Sequence, residues 1–473
     1  MSADLVTMPL LEAGRLIGSG ALSPVTLVDA CLDRIAAIDD RLRSYLLVIG
    51  DQARQQARIA EREIAAGRWR GPLHGIPYAV KDNHFTAGIR TCAASRLMLD
   101  FVPDETATVI RRLEAAGAIL LGKLNTWEYG TGSGAVEFDL PFEPARNPWN
   151  TAHFTGGSSS GAGAAVAGGT AMFALGTDTG GSIRLPAAGC GVIGLKPTFG
   201  LVSRAGILPN CWSLDVAGPL TRTAEDAALV LRALAGHDPA DPASVEVAAV
   251  DYLHDLHRGV RGLTIGLVRD LGEGGPPLMP DLRAGLERMA AVLETLGARV
   301  VEVRLPASLP AYKHVNSIIN WSESFSIHEV DFLERRHLMG KALRDKMTTG
   351  FTVRAADYLA AQRQRRVLAR ATDALVRSVD ALLLPCTTLT APPIDAAEAV
   401  IAFTRDAVTS PFNVSGHPAM SIPTGFTAGG MPLNAQIVGR FFDEAMVLRI
   451  AAAYQAAAGW HTARPSVSFR KQP

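Results

Sequence analysis

Short apolar runs alternate with helical segments along this 473-residue chain, and the alternation constrains its fold. Runs bounded by turn residues predict buried strands at 75–83, 118–125, 263–270, 298–303, 380–386, 418–426 and 435–440. Between them, apolar residues recur three and four positions apart, as in helices, notably at 280–296, 311–378 and 443–458. This order predicts an α/β fold in which helices pack on a mostly parallel or mixed central β-sheet.

The composition supplies a large core and no surplus of charge. Hydrophobic residues make up 48% of the chain and charged residues 19%, which suffices for one large domain. Lys plus Arg equals Asp plus Glu, at 46 each, so the net charge is zero. Such a balance argues against a nucleic-acid or anionic-membrane partner.

The cysteines and the apolar segments indicate the cellular compartment of the protein. Five scattered cysteines without a C-x-x-C pattern indicate buried thiols in a reducing compartment, not a disulfide framework or a zinc site. The N-terminus lacks the pattern of a signal peptide. The longest apolar candidate, 162–176, is rich in Ala and Gly and predicts a helix packed inside the protein. We therefore expect a cytoplasmic protein.

The segment FTGGSSSGAGAAVAGGTAMFALGTDTGGSIRLPAAGCGVIGLKP (154–197) sets two serine clusters among glycines. Glycine weakens helices and strands but lets backbone N–H groups approach another atom closely. In TDTGGS, two glycines precede Ser182, so consecutive N–H groups can point into one small space, as in an oxyanion hole. A glycine turn in which Ser182 caps a following helix explains the same residues equally well.

The other cluster, Ser158–Ser160, indicates either a polar pocket wall or the N-cap of a helix beginning near Ala162. It also fits G-x-S-x-G formally, with Ser159 at the centre, but that nucleophile elbow requires a strand before the serine, and NPWNTAHFT predicts none. A histidine base is equally hard to find. His417 is the nearest candidate, and its setting is more typical of a loop or core histidine.

Lys81 ends the apolar run GIPYAVKDN, a poor place for a solvated ammonium group. Burial disfavours the charged form, so a lysine there can be neutral and accept a proton. Alternatively, its side chain reaches solvent or pairs with Asp82. Together with the serine clusters, it suggests a lysine base, a relay hydroxyl and a nucleophile beside exposed N–H groups.

These motifs resemble the amidase signature family. The likeness rests on GGSSSGAGAAVAGG and LGTDTGGSIRLPAAGCGVIGLKPT, and on GIPYAVKDN, LGKLNTWEYG, RNPWN and PFNVSGHPAMSIPTGF outside them. It covers nearly the whole chain. It implies one domain over 1–473, with N-terminal helices in 1–70, the catalytic signature core in 71–230, and 231–473 completing the sheet and the substrate pocket.

The resemblance also implies the roles of individual residues. Ser182 would be the nucleophile, Lys81 the base, and Ser158, after a cis peptide bond from Gly157, the proton relay. The expected oxyanion donors are the N–H groups of Thr179, Gly180, Gly181 and Ser182. The expected supporting residues are Gly157, Ser159, Asp178 and Arg184. The expected acyl-pocket residues are Trp127, Tyr129, Gly130 and Thr131. Neither a metal nor a cofactor is implied.

The predicted activity is hydrolysis of a small-molecule carboxylic amide through an acyl-enzyme, with carbamates and esters as related substrates. The expected partners are a small-molecule amide or carbamate, no nucleic acid and no membrane, and the expected state is a monomer or homodimer. The region 305–360 would cap the cleft, or Trp321 and Phe325 in it would belong to the core.

Three other functions remain. The first is an A-type subunit of an aminoacyl-tRNA amidotransferase that supplies ammonia to a partner. The second is a nucleotide-binding module built on the glycine loops. Leu195 argues against it, because a P-loop needs lysine at that position. The third is a metal hydrolase, for which the H-E-x-x-H motif is missing.

Overall fold

The computed structural model describes residues 5–131 and 136–466. They form one large α/β domain around an eleven-stranded mixed sheet, as the sequence predicts. The strands are β1 (Tyr45–Val48), β2 (Pro77–Lys81), β3 (Ile119–Leu124), β4 (Phe173–Asp178), β5 (Ile193–Lys196), β6 (Val216–Thr221), β7 (Thr264–Val268), β8 (Arg299–Val303), β9 (Ala381–Leu384), β10 (Ala419–Phe426) and β11 (Pro432–Val438). Their order across the sheet is β1-β3-β2-β4-β6-β5-β10-β11-β9-β7-β8.

Helices cover the sheet. The α-helices of the described residues are α1 (Leu10–Gly18), α2 (Pro24–Leu42), α3 (Gly50–Ala65), α4 (Thr108–Ala115), α5 (Ser160–Gly168), α6 (Arg184–Cys190), α7 (Ala224–Leu234), α8 (Pro280–Thr295), α9 (Leu309–Arg335), α10 (Lys341–Phe351), α11 (Ala355–Arg377), α12 (Ala397–Arg405), α13 (Ser410–Ser415) and α14 (Glu444–Ala458). Short 3₁₀ turns lie at Arg96–Met98, Glu128–Gly130, Arg336–Leu338 and Trp460–Thr462.

Each predicted strand is present, and four more, β1, β4, β5 and β6, complete the sheet. The predicted helical stretch 311–378 is divided between α9, α10 and α11. The prediction of one helix over 162–176 is wrong. Helix α5 ends at Gly168, because Gly169 adopts a left-handed conformation with φ of 75°, and β4 begins at Phe173.

Helix α5 is buried along its whole length, which explains its composition of small residues. A Cβ atom at Gly161 would lie 2.3 Å from the carbonyl oxygen of Ser44 and 2.5 Å from the nitrogen of Asn125. Only glycine permits this approach, which holds the start of α5 against the end of β3. None of the helices in the described ranges combines the length and apolar composition that a bilayer crossing requires.

Candidate active site

Two neighbouring strands carry the polar groups of the site at their carboxyl ends. Strand β2 ends at Lys81 and strand β4 at Asp178, and the two run parallel, with Val80 opposite Leu175. The carboxyl ends of parallel strands meet at one edge of a sheet, where ligands commonly bind in α/β folds. The start of α5 brings Ser158 to the same edge.

Lys81 and Ser158 are in direct contact. Lys81 Nζ donates a hydrogen bond to Ser158 Oγ at 2.7 Å and another to Thr177 Oγ1 at 2.9 Å. The Ser158 hydroxyl donates to the carbonyl oxygen of Gly130 at 2.7 Å. The Gly157–Ser158 peptide bond is cis. The chain therefore holds the Ser158 oxygen between an amine and a carbonyl.

Burial sets the charge of the lysine. The side chain of Lys81 has no exposed surface, and burial lowers its pKa to about 7, against the opposing influence of Asp215 and Asp178. Near neutral pH, a substantial fraction of Lys81 is thus an uncharged amine that can accept a proton. The alternatives in which Lys81 reaches solvent or pairs with Asp82 do not fit this position, since Asp82 lies near Lys123 instead, at 3.7 Å.

Ser182 is half-buried in the wall of a cavity beside this pair. The N–H group of Ser159 donates to the carbonyl oxygen of Ser182 at 3.3 Å, so the two serine clusters are joined through their backbones. The Ser159 side chain instead bonds to the backbone of Thr177, donating to its carbonyl oxygen at 3.2 Å. Ser159 therefore supports β4 and does not face the cavity.

The glycine loop after β4 is held by Asp178. Its Oδ1 accepts the N–H of Gly181 at 2.8 Å and its Oδ2 that of Ile183 at 3.2 Å. Of the four predicted oxyanion donors, Gly181 is therefore already engaged. The N–H groups of Thr179, Gly180 and Ser182 have no acceptor in residues 5–131 and 136–466 and can serve a ligand.

A buried ion pair braces this loop. Arg184 Nε lies 3.0 Å from Asp178 Oδ2 and Arg184 Nη2 lies 3.0 Å from Asp178 Oδ1, with neither side chain exposed. Burial alone would raise the pKa of Asp178, but the charge and hydrogen bonds of Arg184 outweigh it, and the pKa falls well below its usual range. Arg184 Nη2 also reaches Asn413 Oδ1 at 2.7 Å, which ties the loop to α13.

The cavity has a volume of about 380 Å³. Among its lining residues are Ser182 and three of the four predicted pocket residues, Trp127, Gly130 and Thr131. Tyr129 faces away and packs edge-on against His328, with ring centroids 4.5 Å apart. Residues 132–135, which continue this stretch, lie outside the described residues.

The region 305–360 closes the cavity. Helices α9 and α10 contribute Asn316, Trp321 and Lys346 to its lining. Phe325 instead belongs to an aromatic cluster with Phe332 and Phe351, at centroid distances of 5.9 and 5.7 Å. Both sequence alternatives for this region are thus partly correct.

Lys346 is a cavity residue that no sequence motif marks. It is 4% exposed, and its Nζ donates to Asn210 Oδ1 at 2.9 Å, to Ser324 Oγ at 2.8 Å and to Thr131 Oγ1. Burial lowers its pKa to about 7. All three partners are neutral and together they occupy the three N–H donors of Lys346, so an anionic group of a ligand can bind Lys346 by replacing one of them. The signal in the sequence is its position with Leu343 and Met347 on the buried face of α10.

Thr177 and Asn83 lie inside the motifs LGTDTGGSIRLPAAGCGVIGLKPT and GIPYAVKDN, but neither is among the predicted site residues. Thr177 Oγ1 accepts hydrogen bonds from Lys81 and, at 3.2 Å, from Asn83 Nδ2. His417, in contrast, is not part of the cavity lining. It is buried, hydrogen-bonded to Ser415 at 2.9 Å and stacked on Phe441 at 3.9 Å. No group of three or more His, Cys, Asp or Glu side chains that could hold a metal ion occurs in the described ranges.

Comparison with known proteins adds to this geometry. The family model described as Amidase matches residues 26–448. The chain is 39% identical to the A subunit of the glutamyl-tRNA(Gln) amidotransferase of Roseiflexus castenholzii, over 98% of each chain. Among solved structures, the peptide amidase of Stenotrophomonas maltophilia superposes with a TM-score of 0.85 at 33% identity, covering 98% of this chain and 99% of that one. The A subunit of the glutamyl-tRNA(Gln) amidotransferase of Thermotoga maritima superposes with a TM-score of 0.81 at 31% identity, covering 96% of both chains.

One expectation from the sequence is contradicted by these relatives. A small-molecule substrate, no nucleic acid, and a monomer or homodimer were expected, whereas the A-subunit relatives belong by name to an amidotransferase of glutamyl-tRNA(Gln). The expectation of no nucleic acid rested on a net charge of zero, whereas the substrate and the oligomeric state followed from the family resemblance. Charge balance argues only against direct binding of RNA by this chain and does not address RNA held elsewhere in an assembly.

Proposed function

The chain belongs to the Amidase family, and from this premise we propose that it is the amide-hydrolysing A-type subunit of an aminoacyl-tRNA amidotransferase. In this role it releases ammonia from the side-chain amide of glutamine and supplies it to a partner. The observation that carries the proposal is the 39% identity to such an A subunit over 98% of both chains.

Hydrolysis begins with Ser182. Neutral Lys81 accepts the proton of Ser158, and Ser158 accepts the proton of Ser182 as its oxygen attacks the amide carbonyl carbon. The contact of 2.7 Å between Lys81 and Ser158 supports the first of these transfers. The free N–H groups of Thr179, Gly180 and Ser182 stabilise the oxyanion that forms.

The same path runs in reverse to release the product. Lys81 returns its proton through Ser158 to the leaving nitrogen, the C–N bond breaks, and ammonia departs. A water molecule then gives up a proton to Lys81 along this path and attacks the acyl-enzyme carbonyl. The proton returns through Ser158 to Ser182 Oγ as its bond to the acyl carbon breaks, and glutamate is released.

The cavity suits a substrate that carries a carboxylate. Lys346 is buried in its wall with only neutral hydrogen-bond partners. A carboxylate that replaced one of these acceptors would favour the charged form of Lys346 and exchange a neutral hydrogen bond for a charge-assisted one. Glutamine has such a group at the end opposite its side-chain amide.

A second candidate is an amidase that acts without partners on small amides, including carbamates. It is favoured by the likeness to the peptide amidase of Stenotrophomonas maltophilia along 98% of this chain. The two candidates share the nucleophile and differ in substrate and in dependence on other subunits.

The test compares ammonia release by the purified chain, alone and with the proteins that co-purify with it. Substrates are glutamine and a panel of small primary amides, and Ser182→Ala is the control. Glutaminase activity that appears or rises strongly with partners supports the amidotransferase role. Rapid turnover of small amides with no glutaminase activity in either preparation favours the second candidate, and full activity of a folded Ser182→Ala protein contradicts both.

A further inference from the structure

Glu128 joins two parts of the active site that lie far apart in the sequence. Its side chain is 4% exposed. Its Oε1 accepts the hydroxyl of Ser95 at 2.7 Å, and its Oε2 accepts the N–H of Gly340 at 2.8 Å. One carboxylate thus connects the 3₁₀ turn Glu128–Gly130 to the residue that precedes helix α10.

The turn side of this connection touches the serine relay. Gly130 follows Glu128 by two residues, and its carbonyl oxygen accepts the Ser158 hydroxyl. A Cβ atom at Gly130 would lie 3.1 Å from Lys81 Nζ. Tyr129, which lies between Glu128 and Gly130 in the sequence, adopts a left-handed conformation with φ of 52°, which is unusual for a residue other than glycine. Its N–H group donates a hydrogen bond to the carbonyl oxygen of Ala93. The turn is therefore fitted closely against Lys81 and Ser158 and needs external contacts to keep its shape.

The helix side of this connection touches the substrate cavity. Helix α10 begins at Lys341, whose N–H bonds to Asp139 Oδ2 at 2.7 Å, while Glu128 accepts the N–H of Gly340. Two acidic side chains thus accept N–H groups at the start of α10 that have no acceptor within the helix. One turn further along, α10 places Lys346 in the cavity wall.

We propose that Glu128 is a positioning residue that fixes, through one carboxylate, both the Gly130 carbonyl that holds Ser158 and the helix that carries Lys346. The inference rests on the proposed function, in which Ser158 relays the proton of Ser182 and Lys346 binds the substrate carboxylate. It makes the geometry of the catalytic serine depend on the seating of the substrate-binding helix.

The variant Glu128→Met tests the coupling with little change of side-chain length. Methionine carries no oxygen to accept the hydroxyl of Ser95 or the N–H of Gly340, so both contacts are lost, whereas glutamine could keep both by donating its amide N–H to Ser95 Oγ. The matched control is Glu444→Met. Glu444 is also fully buried and also accepts a backbone N–H, that of Thr198 at 2.7 Å, but it is not part of the cavity lining.

Two measurements separate positioning from general stability. The first is the rate at which a small sulfonyl fluoride labels Ser182, which requires the relay but not Lys346. The second is the KM for glutamine in the enzyme with its co-purifying partners, which requires Lys346. We expect Glu128→Met to slow labelling roughly tenfold or more and to raise KM, because misplacement by about 1 Å can cost about a hundredfold in rate. Glu444→Met should leave both values near those of the wild type, even if its melting temperature falls.

The labelling rate and the KM distinguish a failure of the coupling from a failure of the proposed function. If the wild type is labelled and Glu128→Met is labelled at the same rate with an unchanged KM, the coupling is refuted while the proposed function stands. If the wild type is not labelled at Ser182, the proposed function fails and the coupling fails with it. Should Glu128→Met not fold, Ser95→Ala removes one anchor of the carboxyl group and leaves Glu128 itself in place. It must then show a smaller change in the same direction, and wild-type values for it refute the coupling.

Discussion

Lys81 Nζ lies 2.7 Å from Ser158 Oγ, and neither side chain is exposed to solvent. This contact links a base whose pKa is lowered by burial to a hydroxyl that has a second neighbour, the carbonyl oxygen of Gly130. When Lys81 is charged it donates to Ser158, and the Ser158 hydrogen rests on Gly130. When Lys81 is neutral its lone pair can take that hydrogen, which frees the Ser158 oxygen to accept another.

The first prediction concerns the pH dependence of kcat. The base must be neutral, so kcat should rise with pH through the Lys81 pKa of about 7 and level off above it. The measurement is kcat for glutamine at saturating concentration from about pH 5.5 to about pH 9. The quantity kcat/KM is less suitable because the free Lys346 titrates in the same range. A kcat that stays flat across the range would contradict the role of Lys81 as base.

The second prediction concerns Thr177, which accepts hydrogen bonds from Lys81 and Asn83. A hydrogen bond accepted from the ammonium form of Lys81 favours that form. Thr177→Val removes it, so the midpoint of the kcat–pH profile should move to lower pH, and the plateau should fall because Lys81 loses an anchor. Thr424→Val is the matched control, since Thr424 is also buried and its hydroxyl has no partner in the described part of the chain. A midpoint at the wild-type pH in Thr177→Val would show that this hydrogen bond does not tune the base.

The strands show how far the sequence alone could reach. Strand β2 was predicted because Ile76–Val80 is a compact apolar run with Lys81 at its end and turn residues beyond. Strand β4 was missed because it follows the Ala- and Gly-rich helix α5 after only a short break, and periodicity cannot separate two buried elements so close together. The cues were Gly168 and Gly169, since glycine commonly ends helices.

The residues of the candidate site likewise differ in whether the sequence alone could identify them. Lys81, Ser158 and Ser182 lie in short motifs whose chemistry is visible in the sequence. The contacts of Glu128 with Gly340 and of Lys346 with Thr131 span more than 200 residues and depend on where α10 folds back over the sheet. Local sequence patterns do not report that packing, so only the three-dimensional structure identifies these residues as part of the site.

The third prediction concerns substrate charge. Lys346→Met should raise the KM for glutamine by about 10- to 100-fold, the range of one charge-assisted hydrogen bond. Turnover of a neutral primary amide of similar size should change little, and this substrate serves as the internal control. Lys346→Arg keeps the charge and should keep part of the affinity. Equal losses for glutamine and the neutral amide would mean that Lys346 supports the fold of the cavity and does not bind a carboxylate.

The last prediction links stability to pH through the buried lysines. Burial lowers the pKa values of Lys81, Lys196 and Lys346 to about 7, while the unfolded chain keeps the usual value of 10.5. Between these values the unfolded state binds more protons than the folded state, so the free energy of unfolding should rise with pH above about 7. The rise ends near pH 9, where unfolded cysteines lose protons that buried ones such as Cys386 retain, since burial raises its pKa to about 12.

Lys196→Met isolates one of these lysines, because Lys196 is not part of the cavity lining and its Nζ bonds only to the carbonyl oxygen of Pro197 among the described residues. Urea unfolding between about pH 7 and about pH 8.5 should show a slope against pH reduced by up to about 1.4 kcal/mol per pH unit. Unfolding of the variant should also take up about one proton fewer, measurable from the heat of unfolding in buffers of different ionisation enthalpy. A slope equal to that of the wild type would mean that Lys196 stays charged in the folded protein, held by its neighbours Asp178 and Glu444.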